Sequence, residues 1–319
     1  MRWVVGTAKG LVGSEGELWL AGREITALAW DGNGWLALVD GHEVMRVHGD
    51  EVDELGAIGE EAGRCLAPVA DGVLLGTARA RLAFLRDGAV TILRPFDEAE
   101  GREEWYTPWG GPPDTRSLSV GADGVLFANV HVGGILRAET AEGVWSPTID
   151  IDADVHQVLA DPVDASHIVA ATARGLAETH DAGDAWHFTD DGLHAPYARA
   201  VALDGDRLFL SASTGPRGGS AAVYRRQPGV ETFERCAGAL PEWFLGNVDS
   251  HCLAAGGGTV VFATEDGRGF VSDDAVLFLS ASTGPRGGRA AVYRRRQGAD
   301  LFERCEAGIP EWFAGNVDS

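Results

Sequence analysis

The chain has 319 residues, 45% of them hydrophobic, and its 26 Lys and Arg against 48 Asp and Glu give a formal net charge of −22. Such a charge repels nucleic-acid phosphates and anionic bilayers, so no nucleic acid and no membrane is expected as a partner. No apolar run approaches the roughly 20 residues of a bilayer span, and the opening MRWVVGTAKG lacks a signal-peptide pattern, which together point to the cytoplasm.

One β-patterned segment recurs along the chain. It reads RWVVGTA from Arg2, GWLALVD from Gly34, GVLLGTA from Gly72, GVLFANV from Gly124, HIVAATA from His167, RLFLSAS from Arg207 and TVVFATE from Thr259. An eighth version, VLFLSAS, starts at Val276. Each run is β-branched or aliphatic and bounded by turn residues, which suits a buried strand. Each is followed by a Gly-rich turn and a second run, such as RLAFLR or GILRAE, and most by a third, such as AVTILR or AWHFTD. Most are also preceded by one, such as RCLAPV, RSLSVG, HQVLAD or RAVALD.

Four short strands per roughly 40–50 residues, with no long helical pattern, is the signature of propeller blades. The fold class expected is therefore all-β, a single β-propeller domain over residues 1–319, seven-bladed with four-stranded antiparallel blades. The N-terminal unit has three strands and no inner strand before them. Residues 316–319 are a candidate to supply it and close the ring.

The C-terminal stretch departs from this regularity. Residues 277–319 repeat residues 208–250 with 32 of 43 positions identical. This copies the last three strands of one blade, which leaves eight blades as the alternative count and the tail's part in ring closure open. Cys65, Cys236, Cys252 and Cys305 contain no CxxC pair and read as buried free thiols, so no zinc site and no cofactor is expected.

Thr179-His180-Asp181-Ala182-Gly183-Asp184-Ala185-Trp186 fits the pattern S/T-x-D-x-G-x-x-W. In this the chain resembles the Asp-box, or bacterial neuraminidase repeat, β-propellers, a superfamily that includes sialidases and glycosyl-hydrolase-like proteins. The resemblance implies a turn between the two outer strands, with Thr179 and Asp181 serving turn backbone groups and Trp186 packed inward. A degenerate box keeps Trp145 but has Thr140 and Glu142 where Asp and Gly belong, and a third begins at Ser272 and breaks at Val276. The resemblance also implies an arginine triad for a substrate carboxylate, for which Arg64, Arg116 and Arg199 are the candidates. A tyrosine–glutamate nucleophile pair would come from Tyr106 or Tyr197 with Glu104. The early Phe-Arg-Ile-Pro motif of sialidases is absent.

Aligned inner strands begin with Thr26, Arg64, Arg116, His156, Arg199 and His251, and Asp114, Asp154 and Asp249 stand just before three of them. In a propeller these positions converge at one mouth of the central channel, where Lys9, Arg79, His131, Arg174 and Arg217 also fall. Arginine forks suit carboxylate, sulfate or phosphate. His156, His251 and Asp114 are the candidates for acid–base catalysis. The alternative is that these cations simply pair with the neighbouring acids. A metal held by His131, His156 and His251 has no diagnostic spacing. The longest insertion, EAEGREEWYTPWGGPP over residues 98–113, supplies Trp105 and Tyr106 beside this mouth.

The reading is a small anionic or sugar-like ligand held by Arg64, Arg116, Arg199, His131, Tyr106 and Trp105. A glycosidase-like hydrolase and a protein-interaction scaffold are the alternatives, and catalysis is left open.

Overall fold

The computed structural model describes residues 3–273 apart from 239 and 266, together with the backbone of 276–281, 291–296 and 303–304. The chain is all-β and built from the antiparallel blades of a β-propeller. Among the described residues there are seven sheets.

Blade 1 is β1 (Val4–Thr7), β2 (Gly10–Gly13) and β3 (Leu18–Trp19). Blade 2 is β4 (Ile25–Trp30), β5 (Trp35–Val39), β6 (Glu43–His48) and β7 (Glu51–Ala57). Blade 3 is β8 (Gly63–Val69), β9 (Gly72–Thr77), β10 (Arg81–Arg86) and β11 (Ala89–Ile92), followed by the single-turn helix α1 (Arg94–Asp97). Blade 4 is β12 (Thr115–Val120), β13 (Leu126–Val130), β14 (Gly134–Ala138) and β15 (Ser146–Pro147). Blade 5 is β16 (Val155–Ala160), β17 (Ile168–Thr172), β18 (Gly175–Thr179) and β19 (His187–Thr189). Blade 6 is β20 (Tyr197–Asp204), β21 (Arg207–Ser213), β22 (Ala222–Arg226) and β23 (Glu234–Arg235). Blade 7 is β24 (Leu253–Gly256), β25 (Thr259–Ala263) and β26 (Arg268–Asp273), continued by β27 (Val276–Ala281), β28 (Ala291–Arg296) and β29 (Glu303–Arg304).

The recurring sequence segment is thus the second strand of blades 2 to 7, and in blades 2 to 6 it is buried on both faces, which is why it reads there as a continuous apolar run. β9 and β13, for example, are almost wholly buried. Blade 1 has three strands, as its sequence implies. The duplicated tail makes no eighth sheet among the described residues. Its first strand, β27, pairs with β26 through Asp273↔Val276 and extends blade 7 to six strands. The parent strand β21 pairs instead with the inner strand β20. The same sequence therefore forms the same meander against a different neighbour, because a strand edge accepts any strand of matching pattern. Residues 316–319 lie outside the described residues, as does Cys305.

The chain divides into two compact units, residues 1–172 with 177–188, and residues 173–176 with 189–319. In the first, the apolar core lies in layers between successive blades. Leu36 and Leu38 of blade 2 meet Leu75 and Leu85 of blade 3. Leu82 and Phe84 share a layer with Leu126 and Leu136, and Phe127 and Ile135 one with Val158 and Ile168. In the second, Val223, Phe244, Phe262 and Phe270 form one such layer.

Polar bonds join neighbouring inner strands in the first unit. Val158 and Ala160 donate backbone N–H bonds to the hydroxyls of Ser117 and Ser119, at 2.9 and 2.8 Å. The Asn129 amide donates to the carbonyl of Val155 at 3.1 Å. These buried donors and acceptors are therefore matched where the blades meet.

The 179–186 turn is closed by its own side chains. The Thr179 hydroxyl donates to Asp181 Oδ1 at 2.6 Å and accepts from the N–H of Gly183 at 3.2 Å, while Asp181 Oδ1 accepts from the N–H of Ala185 at 2.9 Å. Gly183 has φ 97°, a region that disfavours side chains. In the degenerate turn Trp145 is fully buried, its indole N–H donating to the carbonyl of Ala141 at 3.2 Å. Among the cysteines, Cys65 is buried and its thiol pushed up to about 12 by desolvation. Cys252 is exposed, contrary to the expectation of a buried thiol, because the turn before β24 leaves it at the surface. No described helix is long and apolar enough to cross a membrane.

Candidate functional site

The cations that align at the starts of the inner strands share a backbone feature. In blades 2 to 5 the first and second strands slip by one residue at that point. Arg64 falls between the pairs Gly63↔Thr77 and Cys65↔Gly76. Arg116 falls between Thr115↔Val130 and Ser117↔Asn129, and His156 between Val155↔Thr172 and Gln157↔Ala171. Each is the extra residue of a β-bulge, which takes a side chain out of the strand's alternation and re-aims it. In the second unit the register likewise shifts between Ala198 and Val201, across Arg199. His251 precedes β24 in a left-handed turn with φ 63°.

The acids before these strands face them. In the first unit Arg64 Nε lies 3.0 Å from Asp114 Oδ2. His131 Nε2 and His156 Nε2 approach the same oxygen, Asp154 Oδ1, at 3.8 and 3.7 Å. Both imidazoles are buried, and Asp154 is held at φ 47°. The Trp109 ring packs on His131 at 4.8 Å between centroids, although Trp109 is 72% exposed. In the second unit Arg199 is ion-paired to Asp249 at 3.0 Å and to Glu265 at 2.7 Å.

The 98–113 insertion builds a recess of about 440 Å³ in the first unit, lined by Arg79, Arg102, Trp105, Tyr106, Thr107 and Pro112 among others. Its anchor is α1, whose Phe96 is fully buried edge-on to Trp145 at 5.2 Å. Burying such a ring contributes roughly 1.5–3 kcal/mol. The Arg102 guanidinium stacks on the Trp105 ring at 4.9 Å and donates to the carbonyls of Ala80 at 2.7 Å and Arg79 at 3.3 Å. The Tyr106 N–H donates to the carbonyl of Val132, next to His131, at 3.4 Å. The insertion therefore walls the recess and reaches the His131–Asp154–His156 cluster.

Two residues of the recess, Arg79 and Ala80, occupy φ 66° and 48° in the β9–β10 turn. Non-glycine residues held there cost on the order of 1–3 kcal/mol each and cluster at functional sites. Beneath them Arg81 is paired to Asp97 at 2.7 Å and to Glu61 at 3.4 Å. Arg79 reaches Glu61 only at 3.9 Å and is 69% exposed at its side chain. It is the exposed cation of the recess, and Arg102 the one bonded to the turn carbonyls.

Of the sequence candidates, Trp105, Tyr106 and Arg79 line one recess, and His131, Asp154 and His156 form one cluster. Arg64 and Asp114 form a pair. Arg199 and His251 belong to the second unit. Sequence reasoning missed the bulges and Arg102. A bulge has no composition signal. Arg102 acts through carbonyls of a turn more than twenty residues earlier.

No protein-family model matches the sequence, and no curated protein is similar enough to be matched. Solved structures do resemble the fold. A structure of YCF48 bound to a D1 peptide superposes with a TM-score of 0.57 at 14% identity, over 94% of this chain and 89% of that one. A GH74 enzyme from Niastella koreensis gives 0.59 at 13% identity, over 97% and 57%. A GH74 xyloglucanase from Xanthomonas campestris gives 0.54 at 15% identity, over 96% and 47%. The chain spans about half the length of the two GH74 chains. At these identities the likeness is one of β-propeller fold.

Proposed function

We propose that the protein binds a small anionic or sugar-like ligand in the recess walled by the 98–113 insertion. Tyr106 and Trp105 offer ring faces to an apolar or sugar surface, and Arg79 supplies a charge for a carboxylate, sulfate or phosphate. The observation that carries this reading is the construction of the recess: an exposed Arg79 and a 47% exposed Tyr106 face one cavity whose wall is fixed by buried Phe96 and forked Arg102. Pockets with a few converging polar groups on a rigid frame are the usual form of ligand sites. The bulged Arg64 and Arg116 are the further candidates for the ligand's charge in this unit, and Arg199 the candidate in the other.

A hydrolase of glycosidase type is the second reading. What favours it is the placement of two buried imidazoles 3.8 and 3.7 Å from the Asp154 carboxylate, residue types that serve in general acid–base catalysis. The self-bonded turn at Thr179 and Asp181 supports the Asp-box resemblance, but its side chains are spent on turn backbone groups rather than on a ligand. The neighbouring folds include both glycosidases and a peptide-bound propeller, so the fold does not choose between catalysis and binding.

A thermal-shift panel of sulfate, citrate, glucuronate and glucose tests the binding reading. Stabilisation by the anions that disappears in Arg79→Ala supports it, and stabilisation equal in Arg79→Ala and the parent protein defeats it. Turnover of an aryl glycoside that is lost in His156→Gln would establish the hydrolase.

A further inference from the structure

Blade 5 carries a second cluster, separate from the recess. His167 precedes β17, Glu178 lies in β18 and His180 follows it. One donor atom from each of the three lies within 4.8 Å of the others. His167 Nε2 is 2.9 Å from Glu178 Oε1, and His180 Nε2 is 3.9 Å from the same oxygen. The two imidazole rings stack nearly parallel, with centroids 4.8 Å apart and planes inclined by 7°.

We propose that His167, Glu178 and His180 bind a divalent transition-metal ion of the zinc class. Two imidazoles and a carboxylate are the donor set such ions take when three protein ligands leave one position for water. Magnesium and calcium prefer oxygen-rich sets. Nε2 and Oε1, now 2.9 Å apart, need to part by only a few tenths of an ångström to reach the roughly 3.3–3.4 Å kept by tetrahedral donors about 2.0–2.1 Å from one ion.

The surroundings are those of a held ligand. His167 Nδ1 faces Asp161 Oδ2 at 3.0 Å, the outer carboxylate that orients a metal-bound imidazole. Asp161 is itself fixed, since its Oδ1 accepts the backbone N–H bonds of Val163 at 2.8 Å and Asp164 at 3.2 Å. On the far side, the Thr179–Asp181 hydrogen bond at 2.6 Å brackets the backbone of His180. Glu178 is 12% exposed and His180 70% exposed at the side chain, so the cluster has a dry floor and an open rim through which an ion enters.

A simple ion pair explains less. Both nitrogens of His167 face carboxylate oxygens, and a neutral imidazole carries a single N–H. A second proton would satisfy that geometry, but it needs no third donor. His180, turned over the same Glu178 oxygen, is the member that a metal ion uses and a proton does not.

The test is calorimetric titration of the full chain with Zn²⁺ after chelator treatment, with Mg²⁺ and Ca²⁺ as comparison ions. One Zn²⁺ per chain is expected, with no comparable heat from Mg²⁺ or Ca²⁺. His180→Ala, at an exposed position where the fold is retained, should weaken binding at least tenfold, and Asp161→Asn by about 10–100-fold. His187→Ala, another exposed histidine of this blade, should leave it unchanged. Absence of Zn²⁺ binding, or binding undiminished in His180→Ala, overturns the proposal.

Discussion

The Arg102 guanidinium donates to the carbonyl oxygen of Ala80 at 2.7 Å, tying the 98–113 insertion to the β9–β10 turn. That turn carries consecutive positive φ angles at Arg79 and Ala80, and it presents Arg79 to the recess. Replacing Arg102 by Ala leaves both turn carbonyls without this donor and removes the stack on Trp105. A loss of about 1.5–3 kcal/mol is expected, the range for hydrogen bonds to a charged group. Arg102→Lys should recover little of it, because an ammonium cannot reproduce the planar fork. Urea denaturation of the two variants checks this, and a lysine variant as stable as the parent would contradict it.

Phe96 anchors the other end of the insertion. Phe96→Ala opens a cavity against Trp145 and Leu82 and should cost about 3–5 kcal/mol. It should also change the near-ultraviolet dichroism of Trp105 and Trp145, since both rings pack on Phe96. A variant that loses stability without any change in aromatic dichroism would show that Phe96 does not position the wall.

Stability should carry an acid-sensitive contribution from Asp31 in blade 2. Burial acts to raise the pKa of its carboxyl, but the N–H groups of Asn33 and Gly34 and the Arg46 guanidinium outweigh burial and hold it below the usual 3.8. The folded state thus binds this proton less tightly than the unfolded chain. The contribution is present above the unfolded pKa and disappears as pH falls through the lower folded value. Asp31→Asn should lower the melting temperature at pH 7, by about 1–3 kcal/mol in stability. The gap to the parent protein should narrow toward pH 3. A gap that stays constant over that range would refute the assignment.

Arg199 is predicted to contribute to stability whether or not it meets a ligand. Its guanidinium separates Asp249 from Glu265, and its removal leaves two acids facing each other. Because both acids are more than a third exposed, screening keeps the expected loss in Arg199→Ala to about 1–2 kcal/mol. Thermal melting at low salt and at 1 M salt measures it, with the smaller difference at high salt. An unaltered melting temperature would count against the clamp.

Much of the fold was legible in the sequence because the second strands of blades 2 to 6 are buried on both faces. Runs such as GVLLGTA and HIVAATA announce themselves by apolar content alone. The missing inner strand of blade 1 was legible because RWVVGTA, the segment that recurs as a second strand, has no strand pattern before it. The pairing of β27 with β26 was not, since a copied strand carries no record of its neighbour. In the candidate site, the register of Arg64, Arg116 and His156 was visible as an alignment, yet its cause, the bulge, is a property of two strands together. Trp105 and Tyr106 were found from insertion length, whereas Arg102 was hidden because its partners are backbone carbonyls. The His167–Glu178–His180 cluster did leave a signal. Glu178 and His180 alternate onto one face, and His167 and His180 stand equally far from the centre of the intervening hairpin.

Occupation of the recess is measured most directly by titrating tryptophan fluorescence with glucuronate, which combines a sugar ring with a carboxylate. Trp105 lies in the recess wall and reports its occupation. Saturable quenching is predicted, weakened about tenfold or more in Arg79→Ala and again in Tyr106→Ala, since one charged contact is worth about 1.5–3 kcal/mol. Quenching that fails to saturate, or that is the same in Arg79→Ala as in the parent protein, would contradict the recess as the ligand site.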